Sequence, residues 1–214
     1  MNKPANPFNN SLQQLYPTPI LKYQFDDMDE TNRNLHQLFL QKEQEHPDWR
    51  TGSAQRSNIG GWRSKEDLAD WNNPDINHLV KRVGEAISFL NQKRPIKTSP
   101  STRNVDIYAW ANINRQGQYN SSHIHPGFHW GAVYYVHCGE TMEGDSKSGQ
   151  LEFQDPRPGA SAMPSPGYEF GHKFTVTPQP GLLVVFPAWL SHSVHPFQGD
   201  GERISIAFNI RLKP

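Results

Sequence analysis

Residues 203–212, Arg-Ile-Ser-Ile-Ala-Phe-Asn-Ile-Arg-Leu, alternate between large apolar residues and residues that are polar or small. Successive side chains of a strand point to opposite faces, so Ile204, Ile206, Phe208 and Ile210 share one face. Arg203, Ser205, Ala207 and Asn209 share the other. A strand with one wholly apolar face needs a layer to cover it. Residues 74–92 offer that layer: Pro74 suits a first helical position, and Ile76, Leu79, Val80, Val83, Ile87 and Leu90 follow at helical spacing. This helix is expected to end before Pro95. If it covers the apolar face, Arg203 and Ser205 point away from it, into the space between sheets. A strand-end arginine becomes a candidate pocket residue.

The remainder divides into a helical first part, about 26–94, and a strand-rich core, about 104–214, within a single domain spanning 1–214. A first helix is expected near 30–45 with Leu35, Phe39 and Leu38 on its apolar side. Between the helices lies Gly60-Gly61-Trp62, where Trp62 reads better as the anchor of a loop than as a lid. Short strands separated by Gly, Pro and Asn turns are expected at 105–114, 131–137, 150–154, 173–177, 182–187, 192–195 and 203–212. Residues 155–168 are rich in Pro, Gly and Ser and should form an exposed loop. The fold class is mainly β with N-terminal helices. A chain of 214 residues can bury a substantial core.

Composition removes several function classes. Lys plus Arg and Asp plus Glu each number 21, giving zero net charge, and basic residues form no stripe, so no nucleic acid is expected. The opening Met-Asn-Lys-Pro-Ala-Asn-Pro lacks the apolar stretch of a signal peptide, and no segment approaches the roughly 20 apolar residues of a membrane span. A cytoplasmic protein is expected. Cys138 is the one cysteine, so no internal disulfide can form. It follows the apolar run 130–136 and reads as a small hydrophobe.

Chemistry concentrates in the histidines. His123 and His125 stand one residue apart at a strand entrance, so in an extended segment they reach one ion together. His192, in Phe186-Pro-Ala-Trp-Leu-Ser-His192, can close the site from a neighbouring strand. Three neutral nitrogen ligands with open positions suit Fe(II), Zn or another first-row metal. His195 would point opposite to His192, and the step from His192 to Arg203 allows a turn at 199–201 and return along an adjacent strand. His129 competes as an outer partner or substrate contact. Arg203 with Ser205 offers a guanidinium fork and a hydroxyl for one carboxylate of a small oxo-acid. Of Tyr134 and Tyr135, one faces inward, and alternation does not say which. Asn112 either donates to a ligand or steadies a loop.

These residues resemble the double-stranded β-helix 2-oxoglutarate/Fe(II)-dependent oxygenases. That superfamily carries a His-x-acid pair early in the barrel, a distal His, and an Arg-x-Ser about ten residues later. Here they correspond to His123-Ile-His125, His192 and Arg203-Ile-Ser205. The chain is similar in particular to an uncharacterised bacterial and phage subgroup, through Gly60-Gly61-Trp62, Trp110-Ala-Asn112, Asn120-Ser-Ser-His123-Ile-His125-Pro126, Tyr134-Tyr135, Gly149-Gln-Leu151-Glu-Phe153-Gln-Asp155-Pro156 and Phe186-Pro-Ala-Trp189-Leu-Ser-His192. The resemblance implies a jelly-roll, cupin-like barrel with helices packed on one sheet. It implies Fe(II), 2-oxoglutarate and dioxygen, with the 5-carboxylate on Arg203, helped by Ser205 and Tyr135. One departure is plain: His125 stands where the family has a carboxylate, so either His125 ligates or water fills that position. The implied substrate is an unidentified small molecule or an amino acid or peptide, and the oligomeric state stays open, a homodimer included. Two rival readings remain: a cupin-like metalloenzyme that does not use 2-oxoglutarate, and a non-enzymatic jelly-roll ligand-binding protein.

Overall fold

The computed structural model describes residues 15–50, 57–93, 105–141, 147–162 and 173–213. In chain order the elements are β1 (Leu21–Gln24), α1 (Asp29–Glu45), β2 (Asn58–Ile59), β3 (Trp62–Arg63), α2 (Pro74–Gln92), β4 (Val105–Asn114), β5 (Tyr119–His123) and β6 (Trp130–His137). There follow β7 (Glu140–Thr141), β8 (Leu151–Phe153), β9 (Phe174–Val176), β10 (Leu182–Pro187), β11 (His192–Val194), β12 (Gly199–Asp200) and β13 (Arg203–Leu212).

Both helices start for identifiable reasons. Asn73 caps α2, its side-chain oxygen accepting from the backbone N–H of Asp75 (2.9 Å) and Ile76 (3.1 Å), and Pro74 takes the first turn, where no N–H is needed. Helix α1 has no side-chain cap; Asp29 and Glu30 in its first turn and Lys42 in its last complement the helix dipole. It buries Leu35 and Phe39.

The strands form a six-stranded sheet, β1-β10-β6-β13-β4-β3, and a five-stranded sheet, β2-β5-β11-β8-β9, with β12 and β7 pairing apart. All these pairings are antiparallel. Strand β13 lies in the middle of the large sheet, in register with β4 along all ten of its residues, from Arg203 opposite Asn114 to Leu212 opposite Val105. One core joins Leu35, Phe39, Val83 and Ile87 of the helices to Ile204, Ile206, Phe208 and Ile210. A second core fills the space between the sheets with Tyr135, Leu151, Phe153, Val184, Phe186 and Leu190. This is the expected jelly roll, with helices on the outer face of one sheet.

Some expectations change. Strand β13 does not return beside β11; it crosses to the other sheet, and the 199–201 turn contributes β12, which pairs with β7. His123 is the last residue of β5, not the entrance to a strand, and His125 lies two residues beyond it. Trp62 is fully buried with its Nε1–H on the His46 carbonyl (2.9 Å) and Trp49 stacked against it, so it anchors its loop. Burial pushes the Cys138 thiol up to about 11, in keeping with a packing role. The proposed loop at 155–168 can be followed to 162, with a short 3-10 turn at Ala160–Ala162; residues 163–168 and Pro95 lie outside the described residues. Among the described residues no helix is long and apolar enough to cross a membrane.

Candidate metal centre

Strands β5 and β11 pair with His192 directly opposite His123, which brings the two side chains to one face. The ring centroids lie 4.3 Å apart. His125 joins them from a pinned turn: its backbone N–H donates to the Ala188 carbonyl (2.8 Å), and the Ala188 N–H donates to the His129 carbonyl (3.1 Å). The His125 and His192 Nε2 atoms stand 3.2 Å apart. One ligand atom from each of the three histidines lies within 4.8 Å of the others.

Local hydrogen bonds orient two of the rings. Nδ1 of His123 lies 2.8 Å from the Ser121 carbonyl, and Nδ1 of His192 lies 2.8 Å from the Leu190 carbonyl. A carbonyl only accepts, so Nδ1 carries the proton and the Nε2 lone pair is free for an ion. This is the outer-shell device that fixes the tautomer of metal-binding histidines. Imidazole nitrogens about 2.0–2.1 Å from a shared ion, at right angles, are about 3 Å apart, which matches the His125–His192 spacing. Ser57 Oγ lies 3.3 Å from His123 Nε2.

Burial holds all three imidazoles neutral. It takes His192 down to about 3 and His125 to about 4, with neighbouring imidazoles adding to the effect, and it lowers His123 as well. The Arg63 guanidinium pushes His123 and His125 in the same direction. Neutral rings keep their lone pairs at pH 7, as metal binding requires. Acid has a defined effect on the metal-free protein. The unfolded histidines protonate below about 6.5 while the folded ones resist, so stability is full above about pH 6.5 and falls as pH drops toward 4. A His192→Gln variant should show a shallower fall of Tm over that window; an identical profile would mean that His192 is not the group responsible.

Across the inner space stands a polar wall. Ser205 on β13 is flanked by Asn112 on β4 and Tyr135 on β6, and all three are buried. Arg203, one inward-facing position along, is 1% exposed. Its Nη1 donates weakly to Ser205 Oγ (3.4 Å), and its guanidinium sits 5.0 Å over the Tyr135 ring. Among the described residues, Nε and Nη2 have no hydrogen-bond partner, nor do Tyr135 OH and Asn112 Oδ1. The Tyr135 phenol still feels the adjacent guanidinium, which lowers its pKa against the larger rise caused by burial. Among the described residues no carboxylate lies within 4.0 Å of Arg203. An uncompensated buried cation costs several kcal/mol, so this wall fits an anionic ligand. Tyr134 turns the other way, its OH donating to Asn32 Oδ1 (2.8 Å) under the helices.

Between clamp and histidines the wall is open. Ala207 and its cross-strand partner Val133 are only partly buried, although their neighbours along each strand are buried. Two glycines make room at either end. A Cβ on Gly131 would come within 2.7 Å of Phe186 and 3.3 Å of His125 Cδ2. One on Gly149, where φ is +62°, would come within 2.9 Å of Arg203 Cδ. Gly149→Ala should therefore displace the guanidinium and weaken binding of a carboxylate ligand at this wall several-fold, measured by titration calorimetry with 2-oxoglutarate as the probe, with metal affinity unchanged.

His195 and His129 do other work. His195 Nε2 bonds Glu152 (2.9 Å), which also holds Lys173, and His129 Nδ1 accepts from the Leu212 N–H (3.1 Å). Arg63 went unnoticed in the sequence: β3 places it beside Asn112, with its guanidinium 4.2 Å over the Trp110 ring. Trp110 lies 6.3 Å from the His125 ring. The alternation of β4, which puts Trp110 and Asn112 on one face, was the available signal.

Residues 108–209 match the family model described as "Putative 2OG-Fe(II) oxygenase". That span holds all three histidines and the Arg203–Ser205–Tyr135–Asn112 wall. Among solved structures, a prolyl-4-hydroxylase from Pseudomonas putida superposes with TM-score 0.63 at 16% identity, over 92% of this chain and 94% of that one. A prolyl hydroxylase from Trichoplax adhaerens, in complex with a hypoxia inducible factor peptide fragment, gives 0.64 at 14%, over 90% and 83%. HygX from Streptomyces hygroscopicus, with nickel and 2-oxoglutarate bound, gives 0.52 at 10%, over 91% and 83%. No curated protein matches the chain in sequence. At these identities the structural likenesses establish the double-stranded β-helix fold, and the family match adds the chemistry. Residues 108–209, just under half of the chain, carry the sequence pattern of the 2-oxoglutarate/Fe(II)-dependent oxygenases, and the chain has the fold of the solved structures it resembles.

Proposed function

We propose that the protein hydroxylates a small molecule, an amino acid or a peptide, with iron held by His123, His125 and His192 and 2-oxoglutarate held by Arg203. The observation that carries this reading is the nearly inaccessible guanidinium of Arg203, without a carboxylate partner among the described residues and facing the same internal space as the histidines. The group supplies, when bound, the dioxygen-dependent oxidation of 2-oxoglutarate to succinate and carbon dioxide, coupled to oxidation of the substrate.

The side chains have separate tasks. Arg203 neutralises the 5-carboxylate through a planar fork, and Ser205 Oγ and Tyr135 OH donate to its oxygens. Asn112, in the same row as Ser205, is a further polar contact for the keto acid. The Ser121 and Leu190 carbonyls keep two imidazoles in the ligating tautomer. Phe153, Phe186 and Trp110 exclude water from one side of the centre. No residue is needed to move a proton. A peptide belongs among the substrates to try, because one of the similar structures carries one.

The test is succinate formation by Fe(II)-loaded protein across a panel of amino acids, peptides and small metabolites. A substrate-dependent rise above the uncoupled rate is expected with at least one member. Protein that neither binds the keto acid nor turns it over without substrate would move the assignment to a cupin-like metalloenzyme of another reaction.

A further inference from the structure

A second cluster of metal-binding donors lies outside the inner space. His36 on α1, His137 at the end of β6 and Glu202 just before β13 each offer one ligand atom, all within 4.8 Å of one another. The two imidazole rings stack at 4.4 Å with an interplanar angle of 19°, and His36 Nε2 is 2.6 Å from Glu202 Oε1. The fold reaches this arrangement through an irregularity. Along β6, Val133 and Tyr135 face the inner space, so His137 would follow them there. The β13–β6 register shifts between Ile204 and Ser205, placing His137 opposite Ile204. A bulge of this kind re-aims a side chain to the other face, and here it turns His137 out to meet His36 under α1.

We propose that His36, His137 and Glu202 form a second metal site, selective for a borderline ion such as Zn(II). Two imidazoles and one carboxylate are a donor set found in three-residue zinc sites that leave a coordination position open. The side chains of His36 and Glu202 are 27% and 18% exposed, so an ion can enter from solvent and the ligands can close by small side-chain rotations. On binding, His36 carries its proton on Nδ1 and frees Nε2. The ion would tie α1 to β6 and to the residue preceding Arg203, three parts of the chain far apart in sequence. An ion that joins three separate parts of the chain has a structural role. The inference does not depend on the chemistry at the inner histidine centre.

The test uses the full chain, stripped with chelator and titrated with Zn(II) alone, with bound metal counted after gel filtration. Wild type should hold two equivalents, His192→Ala one, Glu202→Gln one, and the double variant none. Glu202→Gln keeps an acceptor for His36, so it should fold, and circular dichroism checks this. In the His192→Ala background, zinc at about 100 times its dissociation constant should raise Tm by about 5 °C, and Glu202→Gln should abolish the shift. A single equivalent in the wild type that Glu202→Gln leaves unchanged overturns the proposal. So does a zinc-induced Tm shift that survives Glu202→Gln. Wild type against Glu202→Gln decides the matter even if His192→Ala does not fold.

Discussion

Arg203→Ala is expected to weaken 2-oxoglutarate binding by about 2–5 kcal/mol, the range for truncating one partner of a buried, hydrogen-bonded charge pair. The reason is the isolation of the guanidinium: with Ser205 as a distant acceptor and no carboxylate nearby among the described residues, its burial is compensated by an anionic ligand. Arg203→Lys should restore part of the loss, because an ammonium keeps the charge and gives up the two-pronged geometry. Metal affinity should not change in either variant, since Arg203 is not a ligand. Titration calorimetry of the keto acid, with metal content measured in parallel, reads both quantities. Unchanged keto-acid affinity in Arg203→Ala would leave a histidine metal centre on a barrel without its clamp.

His123→Ala and His192→Ala should each abolish iron binding at the inner centre and succinate formation together. Each removes one of the proposed ligands, so the loss should exceed the 10–100-fold that follows removal of an outer-shell partner. Dialysis against Fe(II) in a Glu202→Gln background isolates this centre from the outer cluster. His125→Ala asks a finer question. Loss equal to that of His192→Ala makes His125 a full ligand; retained iron puts water in the third position. An inactive His123→Ala protein with full iron content at the inner centre would disprove the three-histidine assignment.

Strand β13 and helix α2 were legible in the sequence because each carries one uninterrupted period and a clear start. Arg203 and Ser205 followed from them, since an apolar face committed to a helix leaves the other face to the interior. The polar strand β5, Tyr-Asn-Ser-Ser-His, has no apolar alternation to read and is held by pairing with β11 and β2. Strand β1 is largely exposed and is recruited only by the edge of β10. The pairing of Arg63 with Asn112 was hidden because it joins residues about fifty positions apart through a two-residue strand. His36 and His137 were hidden for a similar reason: only the bulge brings them together.

The inner centre is divided between the two sheets in an uneven way. His123 and His192 belong to the small sheet and Arg203, Ser205, Tyr135 and Asn112 to the large one. An ion on His123 and His192 would fasten β5 to β11, two strands of the small sheet. A dicarboxylate reaching from that ion to Arg203 would be a strut between the two halves of the sandwich. In a Glu202→Gln background, which disables the outer cluster, metal alone should therefore slow amide exchange mainly around β5 and β11, whereas metal with keto acid should also slow it at the ends of β4 and β6 that flank Ser205. The molecule would stiffen in two instalments, and the second would coincide with readiness to react.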